Sequence, residues 1–436
     1  MKILHIAPHL GGGVGKAHAA IGAALPGAVR RTFVLLEQPR DRRHVDAIEG
    51  SGGRVVVTRD LEHVAGLAAA ADIVQFEFWN HPRLFECLAR CALPPIRSVF
   101  WSHISGLFRP VIQPGLIEQA GRFVFTTEAS RAAPSVAGLP DAARERISVI
   151  NSGFGFPGRP RKGQPRDKTP TIAYLGTVDF IKMHPGFFDA IDRLRGDNIR
   201  VSVWGSVDPG GDVVSRARAM RHPERIHVGG QTAQPADALS AADIFFYPLQ
   251  PDHYGTAENA LIEAMSLGLV PVVLDNPAER AIVRHGETGF IAHSVEECVE
   301  LLEMLLRSPD VRDSVSRNAV REVADNRTAD GSARAFTALW QGLLHEPPKS
   351  CDFRRVIGND AASWFLATQC LSGETWGATE QHSTDKPSKG MLAHFVSAFP
   401  QDASLAQLAN ARDTPRGAIS ISAPGVASQT PRPRIP

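Results

Sequence analysis

The chain has 436 residues, of which 43% are hydrophobic and 21% charged, with a formal net charge of +1. That balance fits a globular protein of roughly two to three domains and excludes a broadly basic surface for nucleic acid. No apolar run reaches the roughly 18 residues of a membrane span, and MKILHIAPHL is too short an apolar opening for a signal peptide. Cys87, Cys91, Cys298, Cys351 and Cys370 form no metal-ligand spacing. They read as reduced thiols of a cytoplasmic protein.

Strand and helix signals alternate from the first residues. KILHIAPH reads as a strand, a glycine cluster follows, and GKAHAAIGAAL has helical composition. RTFVLLEQ, GRVVVTRD, ADIVQFEFW, IRSVFWSH, RFVFTTEA and RISVINSG follow as strands, with helical segments such as EHVAGLAAA and PRLFECLARCA between them. This alternation predicts parallel strands joined by crossover helices. Residues 151–170 are rich in Gly, Pro and Arg and lack an apolar period, as an interdomain linker does. The alternation restarts with TIAYLGTV, IRVSVWGS, RIHVGG, ADIFFYPL, LVPVVLD and GFIAH.

The expected class is therefore α/β, with two Rossmann-like domains facing a cleft. The first spans 1–155, a linker 156–170, and the second 171–325. A closing helix at 326–346 is expected to pack back toward the first domain. Residues 347–436 read as an extension, partly helical, with a disordered Pro/Ser-rich tail. Ligands of open parallel sheets sit beyond the carboxyl ends of the strands, so the cleft is the expected site.

The glycine cluster in PHLGGGVGKAHAA lets backbone N–H groups approach a phosphate or sugar at Gly12, Gly13 and Gly15. It is not a P-loop, because Leu10 and Ala17 stand where Gly and Ser/Thr belong. It is a poor dinucleotide fingerprint, because Lys16 takes the last glycine's place. A loop facing the cleft and a tight turn with no ligand both fit. In DHYGTAENALIEAMSLGLVPVV, a loop and a helix start follow a buried strand. Free N–H groups of Glu258, Asn259 and Ala260 would face an anion such as a diphosphate. Glu263 would accept two hydrogen bonds from a vicinal diol, as a ribose presents. The competing reading makes Glu258 a complement to the helix dipole and Glu263 a solvated residue.

GTAENALIEAMSLGLVPVV, followed by ERAIVRHGETGFIA, resembles the C-terminal signature of retaining glycosyltransferases of the GT-B fold, the large group 1 family of sucrose and mannosyl transferases. The glycine loop, ADIFFYPL and the closing helices also resemble that family, over roughly residues 1–345. The resemblance implies transfer of a sugar from a UDP- or GDP-sugar with retention, without metal or other cofactor. The implied acceptor is a carbohydrate or lipid-linked sugar. It assigns Glu263 to the donor ribose, Lys182 to the diphosphate, and Gly255, Thr256 and the helix start to the donor. His103 falls where the family places a histidine near the reacting centre, so His103, Lys182 and Glu258 are the candidate catalytic set. Glu77 and Trp79, at a neighbouring strand end, are candidate acceptor contacts with His103.

Two departures stand out. The first of two family glutamates falls on Gly255, so Glu258 or Asp252 would substitute. The family's Gly-Arg pair is Gly176–Thr177 here, leaving Arg280 or Arg284 to compensate. Relatives that approach anionic membranes use basic first-domain surfaces; Arg30, Arg31, Arg40, Arg42 and Arg43 cluster here, as either such a surface or an ordinary solvated one. The alternatives to a transferase are a degenerate sugar-binding scaffold and a nucleotide-sugar epimerase.

Overall fold

The seven strand runs of the first half form one parallel sheet in the computed structural model, which describes residues 1–153, 155–156, 170–255, 258–371, 374–376, 390–412 and 421–422. They are β1 (Lys2–Ala7), β2 (Arg30–Leu35), β3 (Arg54–Val57), β4 (Ile73–Phe78), β5 (Ser98–Ser102), β6 (Arg122–Phe125) and β7 (Ile147–Val149). Their order is β3-β2-β1-β4-β5-β6-β7. The six runs of the second half are β8 (Ile172–Leu175), β9 (Val201–Trp204), β10 (Ile226–Gly230), β11 (Ile244–Tyr247), β12 (Val270–Leu274) and β13 (Phe290–Ala292). They form a second parallel sheet, ordered β10-β9-β8-β11-β12-β13. Helices cover both faces of each, which is why the central strands are almost continuously apolar.

Both sheets reverse winding direction beside their first strand, between β1 and β4 and between β8 and β11. At such a switch point the two following loops diverge and open a crevice. Residues 8–11 and 79–81 therefore form one wall of the cleft, and residues 176–182, 248–255 and 258 the other.

Two later segments return to the first sheet. Helix Ala329–Leu344, N-capped by Thr328, lays Phe336 and Trp340 against Trp101, with the Trp101 and Phe336 ring centroids 4.8 Å apart. Helices Ala361–Gln369 and Leu392–Ala398 pack against helix Pro82–Arg90, and helix Ala403–Arg412 packs on those two. Their Trp364, Phe365, Phe395, Leu405 and Leu408 share one core with Phe78, Phe85 and Phe100. The described part of the extension is thus core of the first domain. The rest of the expected tail, and most of the expected linker, lie outside the described residues.

The early arginines form no continuous free patch. Arg31 is buried, Arg42 pairs with Asp46 and Glu49, and Arg43 pairs with Asp41. All five cysteines are free thiols. No helix among the described residues is long and apolar enough to cross a membrane.

Candidate active site

Helix Asn259–Ser266 starts at Glu258, whose backbone is left-handed at φ 36°, ψ 56°. A left-handed non-glycine residue costs about 1–2 kcal/mol. The turn aims the Glu258 side chain away from capping and into the domain. There it accepts from Lys182 Nζ at 3.0 Å and from the Tyr247 hydroxyl at 2.8 Å. His253 Nε2 lies 3.1 Å from Glu279 beside it, while His253 Nδ1 accepts from the Gly255 N–H at 2.9 Å. Burial alone would raise the Glu258 carboxyl, but Lys182 and His253 outweigh it and hold it below the ordinary range. Burial likewise opposes the Lys182 charge, and Glu258 more than restores it. The result is an ammonium held at the mouth of the crevice by a buried carboxylate.

Gly255 explains its own departure from the family pattern. A Cβ there would stand 1.9 Å from Glu258 Oε1 and 2.6 Å from His253 Nδ1. The carboxylate of Glu258 fills the space beside residue 255, so a side chain at 255 and this rotamer of Glu258 exclude each other. Asp252 is exposed. Thr256 lies outside the described residues.

Glu263, on the same helix, is 5% exposed and faces the first domain. Its carboxylate makes an ion pair with Lys16 from helix Gly12–Ala24, and Lys16 also lies 4.5 Å over the Phe156 ring. Burial pushes the Glu263 carboxyl up, with Lys16 opposing. A solvated Glu263 is therefore excluded. Lys16 is a cation that motif reading passed over, having only counted it as a missing glycine.

The glycines divide. Gly13 faces Asn259, whose Nδ2 would stand 2.6 Å from a Cβ there, so the glycine loop meets the helix start directly. Gly12 opens its helix at φ 61°. Gly15 is buried, and a Cβ there would meet the Leu10 carbonyl oxygen at 1.9 Å. Its lack of a side chain is required by that turn. Ala260 is half-buried against the second core. Arg280 pairs with Asp275, and Arg284 with Glu287 and Glu322. Neither is aimed at Lys182 or Glu263, which corrects the expectation that they compensate for Thr177.

Across the crevice, Ser105 N–H donates to the Tyr254 carbonyl at 3.3 Å, bringing the loop after β5 against the loop after β11. His103 begins that loop. Its Nε2 lies 2.9 Å from Glu77, which is wholly buried in β4. Glu77 also meets His5 Nδ1 and His18 Nε2 at 2.9 Å each and the Gln75 amide at 3.0 Å. Burial would raise its carboxyl, but the histidines overcome this and hold it well below the ordinary range. The expected acceptor contact by Glu77 is therefore corrected, since the side chain has no exposed surface. It acts through His103. An ionised carboxylate only accepts, so His103 carries its proton on Nε2 and keeps Nδ1 as acceptor. Burial lowers the His103 pKa, with Glu77 opposing, so the ring is neutral near pH 7. Trp79 is half-buried, its ring centroid 5.8 Å from that of His103.

Among the described residues, two groups have metal-like spacing, His5/His18/Glu77 and His253/Glu258/Glu279. Both are buried. In the second, the Lys182 ammonium already meets Glu258, and in the first the carboxylate is shared among imidazoles. Neither opens onto a substrate position. A surface depression of about 770 Å³ lies elsewhere, lined by Arg90, Arg354, Arg355 and Asn359.

Residues 158–322 match the family model for glycosyl transferases group 1. This segment belongs to the group 1 glycosyltransferases. Over the whole molecule, the glycosyltransferase of Rickettsia africae has the same fold, with a TM-score of 0.62 at 12% identity, covering 79% of this chain and 99% of that one. Anabaena HepE, solved in complex with UDP and glucose, gives 0.64 at 14% identity, covering 78% and 100%. The chain thus has the two-domain GT-B fold. In sequence, the phosphatidyl-myo-inositol mannosyltransferase of Mycobacterium leprae is 25% identical over 262 residues, covering 56% of this chain and 66% of that protein. The glycosyltransferase 1 domain-containing protein 1 of Xenopus tropicalis is 32% identical over 69 residues, 16% of this chain and 20% of that protein. The chain thus spans two thirds or less of these curated relatives. In this glycosyltransferase domain, Lys182, Glu258 and Glu263 stand on the switch-point side, and Glu263 meets Lys16 of the first domain.

Proposed function

We propose that this protein moves a sugar from a nucleotide-diphosphate sugar to a carbohydrate acceptor, with retention and without a metal. The single observation that carries the reading is Glu263: a carboxylate closed inside the interdomain crevice, met there by a cation from the opposite domain. In the liganded state the ribose diol takes the Glu263 carboxylate, and Lys16 turns to the diphosphate. Lys182 and the N-terminus of helix Asn259–Ser266 meet the same phosphates, so two ammonium groups and a helix dipole do the work of an arginine at 177. The C1–O bond to the diphosphate breaks with its electron pair going to the phosphate oxygen, the acceptor oxygen bonds to C1, and the acceptor proton passes to that departing phosphate oxygen. Closure of the domains keeps water from taking the acceptor's place.

The test is thermal unfolding with UDP, GDP or ADP, in EDTA throughout. At least one nucleotide should stabilise the wild type. Glu263→Ala should bind that nucleotide about tenfold to a hundredfold more weakly, the loss of one or two charge-assisted hydrogen bonds. Absence of stabilisation by all three nucleotides sinks the donor site.

A second stereochemical reading has its own observation. Glu77 and His103 form an oriented pair with an acceptor nitrogen left on the ring, the arrangement of a general base. Such a base favours direct displacement with inversion. The anomeric configuration of the product, read by NMR from an α-linked donor, decides between the two.

A further inference from the structure

The first-domain wall of the crevice carries a row of rings that the donor site does not use. His9 follows β1, Trp79 and His81 follow β4, and His103 follows β5, so they occupy this sheet's switch point and its neighbour. Ring centroids step from His103 to Trp79 at 5.8 Å, from Trp79 to His9 at 5.4 Å, and from His9 to His81 at 5.5 Å. The row continues into the extension: His394, on helix Leu392–Ala398, lies edge-on to His81 at 4.7 Å.

The seat for that helix is built. Gly390 sits at φ 69°, and a Cβ there would stand 1.9 Å from the Asn80 carbonyl oxygen. Only glycine fits both the backbone angle and the approach. The Gly390 N–H then donates to His394 Nδ1 at 3.0 Å, and Phe395 on the next position is buried with Phe85. The extension is thereby locked to the loop that carries Trp79 and His81.

Hydrogen bonding sets what the rings offer. His394 Nδ1 is occupied by Gly390 and His9 Nδ1 by Gly11, at 3.1 Å, so each ring when neutral carries its proton on Nε2 as a donor. His103 instead keeps Nδ1 as an acceptor. Burial, helped by His81, brings His9 and His394 down to about 4, so both are neutral near pH 7. Two formal charges flank the row: Glu37, which lies 3.5 Å from His81 and is held ionised by it at about 2, and the Arg40 guanidinium, which acts on both His9 and His394. Two imidazole donors, one imidazole acceptor and an indole face, flanked by one carboxylate and one guanidinium that leave no net charge, suit the hydroxyls and apolar face of an uncharged sugar.

We propose that the C-terminal extension completes the acceptor subsite, with His394 closing the outer end of a His103–Trp79–His9 wall that grips a neutral pyranoside. This rests on the transfer reading above. The pyranose stacks on Trp79, its reacting hydroxyl lies toward His103 and the donor, and the sugar's far side meets His9 and His394. Loss of the extension's helix would leave the donor site whole and the acceptor loosely held.

The test uses the full chain with UDP present and histidines labelled with carbon-13. Methyl α-glucoside, α-galactoside, α-mannoside and α-N-acetylglucosaminide serve as probes at millimolar concentration. Ring C2–H signals are followed by NMR, the His394 signal being assigned by its loss in His394→Ala. At least one probe should move the His394 signal saturably. That probe should bind about tenfold more weakly to His394→Ala. His394→Gln, which retains an N–H donor, should recover most of the affinity, and UDP binding should be equal in all three proteins. A probe that binds with the His394 signal unmoved, equal probe affinity in His394→Ala, or silence from all four probes overturns the proposal. UDP binding in those cases leaves the donor reading standing, whereas failure of nucleotide binding fells the transfer reading and this subsite with it.

Discussion

Glu258→Ala is expected to abolish turnover and to lower unfolding stability by about 3–5 kcal/mol, the cost of leaving the other half of a buried pair uncompensated. Glu258 is 4% exposed and holds Lys182 at 3.0 Å and Tyr247 at 2.8 Å. Without it, the ammonium loses its anchor at the crevice, and the phenol loses its acceptor in the core. Glu258→Gln keeps an acceptor for Tyr247, so it should lose less stability while still losing most turnover. Gly255→Ala should act in the same direction without touching a charge, because its Cβ would stand 1.9 Å from Glu258 Oε1. The double change Gly255→Glu with Glu258→Gly moves the carboxylate to the family position and puts glycine at the left-handed site. It should recover part of both losses, since the two positions compete for one space. Calorimetry and nucleotide-diphosphate release are the measurements. A Glu258→Ala protein with wild-type melting temperature and wild-type turnover removes Lys182–Glu258 from the mechanism.

The strands were legible because burial on both faces writes itself as short continuous apolar runs, and each of the thirteen runs became a strand in one of the two parallel sheets. Topology then followed from alternation and placed the cleft. Side-chain partnership was not legible in the same way. Lys16 and Glu263 are 247 positions apart, and no local period connects them. Glu77 sits in IVQFEF, where a carboxylate reads as a surface residue on an edge. Its burial became explicable only when β1, helix Gly12–Ala24 and β5 each brought a histidine to it. Gly255 looked like a loss because the motif counts positions along the chain, whereas the Glu258 carboxylate fills the space beside residue 255 from a left-handed turn three residues on. The extension failed to show a period because its helices are short and buried on several faces. Helix Ala361–Gln369 buries Trp364, Phe365, Leu366, Ala367 and Thr368 in succession. A helix enclosed on all sides carries no stripe.

Between about pH 6.5 and pH 4 the protein is expected to lose stability steeply, by about 3 kcal/mol from His5 alone. Burial, the largest influence, brings the His5 pKa down from 6.5 to about 4, with the Glu77 hydrogen bond opposing. Above pH 6.5 the ring is neutral folded and unfolded, and it adds no pH dependence. As the pH falls below 6.5, the unfolded chain binds a proton that the folded chain refuses until about 4, so unfolding is favoured throughout that window. His9 and His394 act in the same direction and window with smaller weight, being only half-buried. Glu77 works in the same sense but in a lower window. Its depressed carboxyl gives stabilisation that is complete above the ordinary value of 4.5 and is lost only as the pH falls below it. The loss from neutral pH down to that value therefore comes from the histidines with lowered pKa, opposed by the raised Glu263 and Glu279 carboxyls and the raised His253. Glu77→Gln should lower stability at neutral pH by about 3 kcal/mol or more, because one amide oxygen replaces a charge shared by the imidazoles. It should also free His103 to exchange its proton between nitrogens, shifting the pH dependence of turnover along with its maximum. Urea unfolding across the window, with the pH–rate profile of Glu77→Gln, checks both. A flat stability curve from about pH 7.5 to pH 5 would show that His5 takes up its proton without unfolding the chain. An unshifted pH–rate profile in Glu77→Gln would separate the buried carboxylate from the chemistry and leave His103 to act without it.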